Sequence, residues 1–113
     1  MADVDQIRHA LALVRAGDGF AAHEVLEDLW RDAAPAERDL YQGLVHVAVA
    51  WYQAQRGNRT GCERQLEKAS RRLSPYAPRH RDVDVESLLE QLARARARVE
   101  AGSLELEPRV PQL

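Results

Sequence analysis

Leu40-Tyr41-Gln42-Gly43-Leu44-Val45-His46-Val47-Ala48-Val49-Ala50-Trp51-Tyr52 reads as a helix that is apolar around nearly its whole circumference. At about 100° per residue, Leu40, Tyr41, Leu44, Val45, Val47, Ala48, Trp51 and Tyr52 leave only a narrow strip uncovered. A helix of this kind belongs in a core, with neighbours on most of its sides. The strip is polar: Gln42, His46 and Gln53 lie within roughly 40° of one another, with Val49 between them. Gly43 flanks the strip and lets a neighbouring helix approach closely.

Outward from this helix, which spans about Pro35 to Arg56, every segment keeps the helical period. Val4, Ile7, Leu11 and Val14 predict a first helix over residues 3–16, with Asp3 as its cap and Gly17 as its stop. Asp18-Gly19 opens a second helix that runs to about Asp32, where Ala33-Ala34-Pro35 breaks it. Gly57-Asn58 ends the third helix, and Thr60-Gly61-Cys62-Glu63 reads as the capping box of a fourth. The stripe of the fourth helix is Cys62, Leu66, Ala69 and Leu73, and Ser74-Pro75-Tyr76-Ala77-Pro78 forbids its continuation. Asp84 caps a last helix, with Val83 and Leu88 spaced as a hydrophobic staple and Val85, Leu88, Leu92 and Val99 as its buried face up to Gly102. No segment alternates with the period of a strand. The expected fold is all-α, a compact array of about five helices around a buried third, forming one domain over residues 1–102. Residues 103–113, with Pro108 and Pro111, read as an extended tail.

The chain has 113 residues, enough for one core and too few for two. Its 30% charged and 45% hydrophobic residues suit an ordinary globular protein rather than a disordered or membrane one. The longest apolar run, Leu44 to Tyr52, is far short of the ~20 residues of a membrane span. The N-terminus, Met-Ala-Asp-Val-Asp, lacks the basic and apolar regions of a signal peptide. Cys62 is the single cysteine, so no internal disulfide forms and a reducing cytoplasm is the expected location. The net charge of −2 gives no general reason to expect nucleic acid. Charge is nevertheless uneven, about +6 over residues 56–81, −5 over 1–55 and −3 over 82–113. A basic segment of this kind either holds an anion or pairs with the acidic helices; aromatic interleaving is absent, which favours the second. A small molecule, a protein or a second copy of the chain all remain open as partners.

Chemistry concentrates in Phe20-Ala21-Ala22-His23-Glu24-Val25-Leu26-Glu27-Asp28-Leu29-Trp30. Phe20, His23, Leu26, Glu27 and Trp30 fall within roughly 120° of one helix face, which aims Glu27 at the interior or at a cleft. His23 and Glu27 stand one turn apart and reach one point in space. Gln42 and His46 repeat that geometry on the next helix, which packs antiparallel across a short connection. If the two strips face each other, His23, Glu27 and His46 converge as ligands for Zn, Fe, Mn or Ni. Glu27 is then the catalytic carboxylate of a metal-activated hydrolysis, Gln42 orients a ligand or a water, and Trp30 shields one wall. The competing reading makes the cluster a structural polar network tying two helices together. Trp51 and Cys62 read as core, and His9 and His80 sit in polar contexts. Residues 46–75 are also similar to one tetratricopeptide-type hairpin, which suggests a non-catalytic interaction module. No Gly-rich phosphate loop or hydrolase motif is present.

His23-x3-Glu27-x2-Trp30, followed by Gln42-Gly43-Leu44, Arg56-Gly57-Asn58 and Leu73-x-Pro75-Tyr76, resembles the prokaryotic family known as domain of unknown function 309, over roughly residues 18–78. The resemblance implies a small helical protein and a metal-binding or catalytic role for the His-Glu-Trp motif. It supports His23, Glu27 and Trp30 as a unit. His46 lies outside the motif, and its role as a ligand rests on the helix-face argument.

Overall fold

Asp18, Asn58 and Asp84 each place a side-chain oxygen on a backbone N–H three residues ahead, and each starts a helix. The computed structural model describes residues 2–106, with side chains from Val4 onward, so the Asp3 cap lies outside the described side chains and Pro108 and Pro111 outside the described residues. The helices are α1 (Ala2–Arg15), α2 (Gly19–Asp32), α3 (Arg38–Gln55), α4 (Arg59–Leu73) and α5 (Val85–Glu100). Pro35–Glu37 forms a 3-10 turn before α3, so Pro35 starts a separate turn rather than the long helix expected from it. The start of α4 also differs from expectation: Asn58, two residues ahead of Thr60, supplies the cap. Among the described residues the only strand-like pairing is an isolated bridge between His80 and Val83.

Each helix packs chiefly on the next in sequence, so α1, α2, α3 and α4 form a folded row that α5 closes against α4. The third helix is the centre of that row. Leu40, Leu44, Val47, Ala48 and Ala50 are almost wholly buried, and Trp51 nearly so. Ile7, Leu11, Leu26, Leu66, Leu88 and Leu92 complete one continuous core. Burial of this apolar surface, at about 25 cal/mol per Å², is what offsets the entropy of ordering the row. The tail begins after Gly102, and Leu104 and Leu106 pack back onto the core near Val14, Trp51 and Ala54. Cys62 sits in the core, where burial, with a smaller effect of Glu63, pushes its thiol up to about 11 and leaves it unreactive. No helix among the described residues is long and apolar enough to cross a membrane.

Candidate functional site

Gly19 brings α2 and α3 together. A Cβ at this position would lie 2.5 Å from the carbonyl oxygen of Ala48, so only glycine permits the contact. That approach sets His23 beside Val49, Tyr52 and Gln53 of α3. Together with Gly19 and Phe20 they line an open cleft of about 150 Å³. Phe20 is 52% exposed, the one large hydrophobic so placed among the described residues. Its ring nevertheless has fixed neighbours, with centroids 5.2 Å from His23 and 5.7 Å from Tyr52, both tilted.

The His23 Nδ1–H donates to the carbonyl of Phe20 at 2.9 Å, which fixes the ring and turns Nε2 towards Glu27. Nε2 and Glu27 Oε1 are 3.3 Å apart, and Arg31 Nη2 stands 3.6 Å from Glu27 Oε2. With Nδ1 committed to the carbonyl, Nε2 meets the carboxylate either as an imidazolium donor or as a bare lone pair that needs a cation between. The expected i, i+4 pair therefore exists. Its surroundings differ from expectation, because the Glu27 side chain is 39% exposed and shares Arg31, so no buried charge needs compensation.

His46 does not join the pair. Its Nδ1–H donates to Gln65 Oε1 on α4 at 2.6 Å, while its Nε2 is buried without a hydrogen-bond partner. The α3 helix is flanked by α2 on one side and α4 on the other, and His46 lies on the α4 side of the polar strip. Gln42 is half-buried and bonded to none of His23, Glu27 and His46. Trp30 packs on the core with the Arg38 guanidinium 4.8 Å above its ring. Among the described residues no group of three or more His, Cys, Asp or Glu is arranged to hold a metal ion.

Burial lowers the pKa of His46, against the raising effect of the Gln65 bond and with help from Arg72, Lys68 and Arg71. The unfolded chain therefore takes up this proton more readily than the folded one. Stability is expected to hold above the ordinary histidine value near ~6.5 and to fall as the pH drops from there towards the lowered folded value. Denaturant unfolding followed between pH 7.5 and 5 checks this, with His46→Gln flattening the slope.

A second polar cluster, not anticipated from the sequence, ties the loop before α5 to the start of α3. His80 Nε2 lies 2.6 Å from Glu37 Oε2, and Arg81 Nη2 lies 3.4 Å from Oε1. Burial opposes ionisation of Glu37, but His80 and Arg81 outweigh it and hold the carboxyl below its usual range. Arg81 and Asp82 both adopt positive φ in the tight turn between His80 and Val83, a strain that these contacts help to hold. A histidine in a polar stretch of loop gave no sign of a partner 43 residues away.

No solved structure matches the chain. Over 68 residues it is 35% identical to the uncharacterized protein YpuF of Bacillus subtilis (strain 168). That alignment covers 59% of this chain and 37% of the relative, so the chain spans little more than a third of the relative's length. The family model for domain of unknown function 309 matches residues 7–65, a stretch that holds the cleft and His23, Glu27, Trp30, Gln42 and His46. On that match the chain belongs to the domain of unknown function 309 family.

Proposed function

We propose that the chain is a non-catalytic helical docking module of the cytoplasm, in which the cleft between α2 and α3 receives an apolar side chain of a protein partner. The observation that supports this is Phe20: a large aromatic side chain that is 52% exposed yet braced by His23 and Tyr52 beside a cleft floored by Val49. Preorganised aromatic anchors beside small pockets are the usual centres of binding energy at protein interfaces. An enclosed apolar cavity of about 150 Å³ holds benzene, and this cleft, open to solvent on one side, has about the same volume for a side chain to enter. The His23–Glu27 pair then forms the polar rim and fixes the shelf on which Phe20 rests. The test is a titration with N-acetyl-leucine amide followed by amide NMR. Shifts at Val49, Tyr52 and Gln53, lost in Phe20→Ser while the melting temperature holds, are expected; a cleft that gives no shifts contradicts the proposal.

The arrangement of His23 favours a second reading. A histidine whose Nδ1–H is tied to a backbone carbonyl presents Nε2 as metal-bound histidines do, and a 3.3 Å gap to Glu27 matches two donors each about 2.0–2.2 Å from one ion. Zn, Fe, Mn or Ni held this way takes its remaining ligands from a bound molecule, with Glu27 as the carboxylate available for hydrolytic chemistry.

A further inference from the structure

Three sides of α3 are covered, and the fourth carries the half-buried Gln42, Val49 and Gln53 between α2 and α4. At 100° per residue, Phe20, Glu24 and Glu27 of α2 and Arg64, Lys68 and Arg72 of α4 border the same face. The two borders differ in sign. On this face α2 carries Glu24 and Glu27 with Arg31 between them, a net −1, whereas Arg64, Lys68 and Arg72 give the α4 border +3. Several charges on α4 already have partners, as in Arg72–Asp39, Arg71–Glu67 and Arg59–Glu63. Glu24, Arg64 and Lys68 have no ion-pair partner among the described residues.

Both α2 and α4 run antiparallel to α3, so they run parallel to each other along opposite edges of the face. Gly19 sits level with Ala48 and Tyr52, and Gly43 level with Leu73, which places Glu24 and Lys68 within about one helical turn of the same height. We propose that this face docks a second copy of the chain, about a two-fold axis lying in the face and running along α3. Such an axis sets α3 on α3 and the acidic α2 of each protomer on the basic α4 of the other. An axis across the helices instead sets α2 on α2 and α4 on α4, like charge on like. The charge pattern therefore selects one closed, self-complementary arrangement. Helices about 20–27 Å long at 8–10 Å spacing give a projected face on the order of 500 Å². With its corrugation counted, this approaches the ~800 Å² per partner of a standard interface. The inference rests on reading this face as a docking surface, and names its occupant.

Sedimentation velocity on the whole chain tests it, with Glu24→Lys and the double variant Arg64→Glu/Lys68→Glu, all three sites lying outside the buried core. We expect a wild-type dimer that weakens as salt is raised, at least tenfold weaker self-association in each variant alone, and a restored dimer in their equimolar mixture. A monomeric wild type, or a dimer that both reversals leave intact, overturns the inference. So does a monomer that binds polyphosphate or RNA through Arg64 and Lys68. A monomer whose cleft still answers N-acetyl-leucine amide leaves the docking module standing and removes only the second copy as its partner.

Discussion

Replacing Gly19 with alanine is expected to lower the unfolding free energy by about 3 kcal/mol, and with it the melting temperature by roughly 10–20 °C. The added Cβ would stand 2.5 Å from the carbonyl oxygen of Ala48 and 3.2 Å from the backbone nitrogen of Tyr52. Both neighbours are main chain inside a helix, so neither can rotate aside. The only relief is for α2 and α3 to separate, which opens the seam behind Leu26, Leu44 and Ala48. Alanine's better helix propensity recovers less than about 1 kcal/mol and does not change the sign. The cleft should suffer with the fold, because the position of Phe20 over Tyr52 depends on the same approach. Thermal unfolding of Gly19→Ala measures the effect, and an unchanged melting temperature would show that the helices do not meet there.

Gly43→Ala should cost about 2 kcal/mol, for a related reason with a different remedy. Its Cβ would lie 2.6 and 2.7 Å from Cγ and Cδ2 of Leu73, which is fully buried and has no room to turn away. Here the obstacle is a side chain, so it can be removed. Leu73→Ala alone creates a cavity and should cost about 2–5 kcal/mol. The double variant places a methyl group where the leucine was, and its loss should fall short of the sum of the singles by about 1–2 kcal/mol. No comparable rescue exists for Gly19, and a chemical-denaturation cycle separates the two cases. Strict additivity at Gly43 and Leu73 would mean that α4 does not cross α3 at this point.

Local signals made most of the fold legible. Asp18, Pro35, Gly57-Asn58 and Asp84 act over a few residues, and each marks a boundary within a turn of its expected place. That some helix comes close at Gly43 was equally readable, since a glycine beside an apolar helix face has few other uses; that the helix is α4 was not. The assignment of His46 failed because one helix's periodicity gives direction around its own axis and not the identity of the neighbour. Gln42, Val49 and Gln53 lie towards the open face, whereas His46, about 40° further round, meets Gln65 of α4. Glu27 belongs to the same stripe as Leu26 but at its edge, where half-exposure removes the need for a buried partner. Phe20 is exposed because it lies opposite Ala22, Leu26 and Leu29, the buried face of α2. The Glu37–His80–Arg81 cluster joins loop residues, for which no period exists.

The measurement that bears most directly on the central claim, a docking face rather than a metal-dependent hydrolytic centre, is elemental analysis of protein purified without chelator or affinity tag, beside the same protein carrying His23→Ala. A two-donor pair with Arg31 already on its carboxylate should hold only traces of Zn, Fe, Mn or Ni, equal in both proteins and unchanged after these ions are added. Near-stoichiometric metal in the wild type that disappears in His23→Ala would contradict the docking account and make His23 and Glu27 ligands.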